Sequence, residues 1–246
     1  RHGLSTRLGG VSPAPWDSLN LGISRGDSDE NVRENYRRFC AAVGVTVEST
    51  VFTQQTHSEN IRLVTAQDAG KGLLRPRDYT EVDALITDTP GLSLVVFSAD
   101  CGTILLYDPV HRAIGAVHAG WRGVAAGLAS KTVLKMHDTF GTEPGDLLCA
   151  LGPAIGPCCF ETDDDVPAAM HAALGTQADP FLTRQGAKWH IDLKAINAHW
   201  LKSLGVRHID ICPHCTACRQ DLYWSHRKVG NARGAQIALL ALEDPL

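Results

Sequence analysis

The 246-residue chain has no apolar run approaching the roughly 18 residues that a membrane-spanning helix requires. It also lacks a charged-then-apolar leader of the secreted kind; it opens on Arg1 rather than methionine, so native residues can precede it. Positive charge is in deficit: 23 Lys and Arg against 27 Asp and Glu give a formal net charge of -4. That balance supplies no overall field to attract nucleic acid or anionic lipid. No low-complexity tract, internal repeat or long Pro-, Gly- or Ser-rich linker divides the sequence. A hydrophobic content of 44% is enough for a substantial core. These absences point to one domain over residues 1–246, acting on small molecules in the cytoplasm, with no nucleic-acid or membrane partner.

Cysteine, by contrast, is present eight times, unevenly spaced at 40, 101, 149, 158, 159, 212, 215 and 218. A chain of this size does not need a disulfide scaffold, so the pattern fits a reducing compartment. "CPHCTAC" holds two overlapping Cys-x-x-Cys pairs, Cys212/Cys215 and Cys215/Cys218, around His214. A closed zinc site would need a further ligand, and no matching second pair stands at the usual sequence distance. The expectation is reduced structural thiols.

Val32, Tyr36, Phe39, Cys40 and Val43 recur at helical spacing, with Asp27 or Ser28 before them and Gly44 after. This predicts a capped helix from about 29 to 43 on an outer face. Strand-like runs follow at "VFTQQTH", "NIRLV", "DALIT", "LSLVVFSADC", "TILLYD" and "RAIGAVHA". "GVAAGLASKTVLKMHDTFG" then reads as one helix stopped by Gly141. "DLLCALG", "RHIDICP", "LYWSHR" and "GAQIALLAL" read as strands, a helix is expected near 163 to 174, and "KWHIDLKAINAHWLKSLG" reads as strand then helix. The fold class is α+β, with mixed β-sheets and helices packed on their outer faces.

Three metal-ligating side chains close strand-like runs: His57 in "VFTQQTH", Cys101 in "LSLVVFSADC" and His118 in "AIGAVHA". Two imidazoles and a thiolate suit Zn(II), leaving a fourth position open, and copper competes by ligand softness. Without further information, two turn histidines and a buried thiol account for the same residues.

"GLSTRLGGVS", "SLNLG", "QQTHSENI", "SADC", "LLYDP", "AVHAGWRG", "GPAIGPCCFE" and "CTACRQDLYWSHR" occur in the order seen in the multicopper polyphenol oxidoreductase, or laccase-like, family, whose members are better known as purine nucleoside phosphorylases. The chain resembles that family from Gly3 to about Leu242. The resemblance implies that His57, Cys101 and His118 hold a metal. It further implies phosphorolysis of adenosine, inosine and methylthioadenosine, accompanied by adenosine deamination, in a monomer. The sequence departs from the common pattern at Thr56-His57-Ser58, at Cys101-Gly102-Thr103 and at "NARGA", where a more usual Gly-Arg pair is replaced, so no substrate role passes to Arg233.

Arg122, just after His118 and at a helix start, is the candidate for binding phosphate alongside backbone N–H groups. Arg7 is a second anion or ribose candidate by resemblance. Asp100 is a candidate to orient a ligand or accept a proton, and equally a turn residue; Glu161 is an acid/base candidate, and equally a solvated one. Trp121 and Trp224 offer purine stacking or core packing. Three other functions fit parts of the pattern: a metal-free hydrolase using Cys101 and His118, a copper-dependent polyphenol oxidase, and a non-enzymatic factor in cell-wall fidelity. A multicopper oxidase would need several histidine-rich centres, and the sequence offers one persuasive His/Cys set.

Overall fold

A computed structural model describes residues 1–243. Its strands run β1 (His2–Leu4), β2 (Thr50–Phe52), β3 (Ile61–Leu63), β4 (Ala84–Thr87), β5 (Ser93–Ser98), β6 (Gly102–Asp108), β7 (Ala113–Ala119), β8 (Leu148–Leu151), β9 (Glu161–Thr162), β10 (Leu182–Gln185), β11 (Lys188–Ile191), β12 (His208–Ile211) and β13 (Gln236–Ala241). The helices are α1 (Asp29–Val43), α2 (Trp121–Ala125), α3 (Leu128–Phe140), α4 (Asp165–Leu174), α5 (Leu193–Ser203) and α6 (His226–Val229). A four-stranded sheet has the order β1-β13-β5-β2, a six-stranded sheet β12-β8-β6-β7-β4-β3, and a small one β10-β11-β9. Both large sheets are mixed: β2/β5, β3/β4 and β8/β12 run parallel, and their other pairs antiparallel.

The two-residue period of a strand sorts side chains into layers. In β5, Leu94 and Val96 point into a core shared with Leu105 of β6, Ile114 and Ala116 of β7, and Ala238 and Leu240 of β13. Val95, between them, instead meets Val32, Tyr36 and Cys40 of α1, as do Ile237 and Leu239 of β13. On the far side, Ile104, Leu106 and Val117 pack against Val133 and Met136 of α3 and Ile196 and Leu201 of α5. The order is therefore helix, sheet, sheet, helix. Covering both faces of both sheets explains why their central strands read as unbroken apolar runs rather than alternating ones.

The predicted first helix is present over Asp29–Val43: Ser28 accepts the Asn31 N–H, and Gly44, at φ 82°, closes the end. The helix expected over 123–141 is instead two. Gly127 adopts φ 68° between α2 and α3, a left-handed conformation that ends one helix and turns the chain into the next. "LYWSHR" is not a strand: Tyr223 N–H bonds the Arg219 carbonyl in a turn, and His226 begins α6. No helix among the described residues is long and apolar enough to cross a membrane.

Candidate metal centre and its cavity

The register of the six-stranded sheet assembles the centre. Ala84 pairs with Val117, so Asp83 stands opposite His118, whose N–H bonds the Asp83 carbonyl at 2.8 Å. Thr103 pairs with His118 on the other side, carrying Cys101, just before β6, to the same sheet edge. His57 comes from the loop after β2, where a Gln54–Val82 bridge directs the chain over this edge. One ligand atom from each of His57, Cys101 and His118 lies within 4.8 Å of the others, and Cys101 Sγ is 3.7 Å from His57 Nε2.

Asp83 holds the arrangement together. Its Oδ1 lies 2.7 Å from His118 Nδ1, which leaves His118 Nε2 for the centre. The same carboxylate accepts the N–H groups of Thr56, His57 and Ser58 and the Ser58 hydroxyl. These bonds sustain the left-handed turn at His57, φ 62°, which a residue with a Cβ adopts only when its surroundings impose it. Gly120 completes the fit, because an added Cβ there would overlap the His57 ring and stand 3.3 Å from Cys101 Sγ.

Charge within the cluster is strongly coupled. Burial pushes the Cys101 thiol up, but His118 and His57 outweigh it and bring it down to about 6. Burial lowers His118, whereas the Cys101 sulfur and the Asp83 carboxylate outweigh it and raise it to about 9. Burial also raises Asp83, and the His118 and backbone hydrogen bonds reverse this, holding it below the usual carboxylate range. Two nitrogens and a readily formed thiolate on one edge, with a carboxylate behind one imidazole, make a donor set suited to a metal ion.

The centre opens on a cavity of about 630 Å³. Besides His57, Cys101 and His118 its walls include Arg25, Arg77, Arg122, Arg227 and Arg233, with Phe97, Trp121 and Phe160. Arg122 lies over the Trp121 ring, 4.3 Å from its centroid, and no described residue accepts a hydrogen bond from its guanidinium. Arg233 is partly buried and its Nε has no partner among the described residues.

The other predicted residues are placed differently. Asp100 borders the cavity, but its carboxylate is engaged inward by the hydroxyls of Thr216, at 2.6 Å, and Ser225, at 3.0 Å, and by the Arg227 N–H. Arg7 does not line the cavity: it donates to the carbonyls of Asp17 and Gln220 and stacks on Trp224. Trp224 is buried in the core. Glu161 also lies off the cavity, with its carboxylate 4.0 Å from His190 Nε2. Asp83, Arg25, Arg77 and Arg227 were not visible as site residues in the sequence, and of these only Asp83 left a trace there, as the last polar residue before the apolar run of β4. Arg233, to which the resemblance passed no substrate role, nevertheless lines the cavity.

A fold of this topology with a His-Cys-His centre at one sheet edge defines the class: residues 1–243 match the family described as multi-copper polyphenol oxidoreductase laccase, and the chain belongs to it. Among its relatives, the Geobacillus stearothermophilus purine nucleoside phosphorylase YlmD is 35% identical over 249 residues, covering 98% of this chain and 90% of that protein. The Escherichia coli purine nucleoside phosphorylase YfiH is 34% identical over 224 residues, covering 91% and 86%. The crystal structure of the Bacillus licheniformis hypothetical protein YfiH superimposes with a TM-score of 0.94 at 32% identity, covering 98% of this chain and 92% of that one.

Proposed function

We propose that this protein is a zinc-dependent purine nucleoside phosphorylase acting on adenosine, inosine and methylthioadenosine, with accompanying adenosine deaminase activity. The observation that carries this reading is one cavity bordered at once by the His57-Cys101-His118 donor set and by five arginines. In phosphorolysis a phosphate oxygen bonds to the anomeric carbon as the C1′–N9 bond breaks. The bonding pair leaves with the purine, which takes up a proton. Arg122 and Arg233, with donors to spare, hold the phosphate; Phe97, Phe160 and Trp121 offer faces for the purine. Asp100 acts behind the wall, fixing the backbone that carries Arg227. A zinc ion held by His57, Cys101 and His118 would supply Lewis acidity at an open coordination position, the requirement that phosphate activation and attack of water at purine C6 share. Copper is the alternative occupant by donor type.

A second reading is favoured by the chain Asp83, His118, Cys101, which resembles the orienting acid, base and nucleophile of a cysteine hydrolase. His57, 3.7 Å from the sulfur, has no part in that mechanism, whereas it completes a metal-binding face. The test is incubation of metal-characterised protein with adenosine, with and without phosphate, followed by chromatography. Adenine appearing only with phosphate, and inosine in either case, supports the proposal. In Cys101→Asp a carboxylate can still bind zinc, so weak phosphate-dependent cleavage should survive there and vanish in Cys101→Ala. Equal inactivity of the two variants, with a trappable covalent adduct on a metal-free active parent, would establish the hydrolase instead.

A further inference from the structure

Cys212 and His214 of "CPHCTAC" do not join the other thiols: His214 Nδ1 faces the Tyr223 hydroxyl at 2.9 Å. Cys215 and Cys218 do something else. A parallel bridge joins Cys215 to Ala154, and the Thr216 N–H bonds the Ala154 carbonyl. This lays the loop after β12 along the turn after β8, where Cys158 and Cys159 are adjacent. The result is a second cluster in which the sulfurs of Cys158, Cys159, Cys215 and Cys218 all lie within 4.8 Å of one another. The partner pair missing from the local sequence thus arrives from the preceding turn.

The spacing of the sulfurs matches that of a coordination shell. Four sulfurs about 2.3 Å from a central zinc ion stand about 3.8 Å apart along the edges of the tetrahedron. Cys218 Sγ lies 3.6 Å from Cys158 Sγ and 3.4 Å from Cys159 Sγ, far beyond a disulfide bond. Cys215 Sγ also accepts the Gly156 N–H at 3.2 Å, the kind of outer hydrogen bond that fixes a thiolate ligand and offsets its charge. The sulfurs are too closely grouped to surround a multi-iron cluster, in which the thiolates are spread over two or more iron atoms.

We propose that Cys158, Cys159, Cys215 and Cys218 bind one structural Zn(II) ion, separate from the His57-Cys101-His118 centre. Four protein ligands leave no open position, so the ion performs no chemistry. Its work is to clasp two segments separated by residues 161–214, and both segments build the cavity wall. Ile155 and Phe160 come from the first, and His226 and Arg227 from the second. Arg227 already spans the seam, donating to the carbonyl of Cys159 at 3.1 Å and of Glu161 at 2.9 Å. Holding the seam closed holds this arginine against the cavity.

The test needs no catalytic assay, so it stands apart from the proposed reaction. Protein produced with supplemental Zn(II) is analysed for metal per chain by mass spectrometry. The parent should carry two zinc equivalents, and His57→Ala/Cys101→Ala and Cys159→Ser/Cys218→Ser one each. If the second variant fails to fold, the first still decides: X-ray absorption of its remaining zinc should show four sulfur neighbours at about 2.3 Å. Co(II) in its place should give the intense absorption of a tetrahedral tetrathiolate. The proposal is overturned if the parent holds a single equivalent and all four thiols alkylate in the native protein. It is equally overturned if His57→Ala/Cys101→Ala is metal-free, if copper or iron fills the cysteine site, or if a disulfide links these residues.

Discussion

At the scale of single residues, Asp83 and Gly120 shape the centre from outside the cavity wall. Asp83→Asn keeps the size of the side chain but replaces a charged acceptor with a neutral amide, weakening its hold on His118 and on the 56–58 backbone. Loss of such an orienting partner should weaken metal binding by about 10- to 100-fold, read by competition with a chromophoric chelator. Unchanged affinity would show that His118 is oriented by packing alone. Gly120→Ala isolates sterics, because the backbone there, φ -67° and ψ 168°, is open to any residue. Its methyl group must displace His57, so metal content at that centre should fall while the thermal midpoint of the metal-free protein stays close to the parent's.

At the scale of elements, the start of α1 is coupled to the loop that carries Arg25. Asp27 accepts hydrogen bonds from the Ser12 hydroxyl at 2.6 Å, the Ser28 N–H at 2.8 Å, and the side-chain amides of Asn20 and Asn31. Partial burial raises the carboxyl, and these four donors outweigh it, so its folded pKa lies below the ordinary aspartate value. The sign follows from linkage: the stabilisation is complete above the unfolded pKa of about 4 and is lost as pH falls through the lower folded value. Asp27→Asn should cost about 1–2 kcal/mol near neutrality, and flatten the acid limb of a stability-against-pH curve measured by urea denaturation. An acid limb as steep as the parent's would place the titrating group elsewhere.

At the scale of the whole molecule, the core between the two large sheets joins the strands that bring His57, Cys101 and His118 together. Leu94, fully buried in β5, faces Leu105 and Ile114 across that layer. Leu94→Ala should destabilise the protein by about 2–5 kcal/mol, the transfer loss plus the cavity left behind, with the denaturant slope unchanged. A loss below 1 kcal/mol would mean that the sheets close over the gap.

Read alone, the sequence determined much. The i, i+3, i+4 spacing between Val32 and Val43 and its caps produced the first helix, since capping and periodicity are local. The apolar runs at 93–98, 103–108 and 113–119 produced the central strands. The motifs around His57, Cys101 and His118 picked out the three candidate ligands, because each motif is contiguous. What the tertiary structure decided was everything that depends on register and on loops meeting across the sheet edge. Antiparallel pairing of β4 and β7 made Asp83 the partner of His118, and a single β-bridge at Ala154 and Cys215 turned two distant cysteine pairs into one cluster. The arginines of the cavity come from separate segments of the chain, and only Arg122, at its helix start, stood out locally as more than a solvated cation. Their common destination is set by the packing of two sheets, which no local spacing encodes.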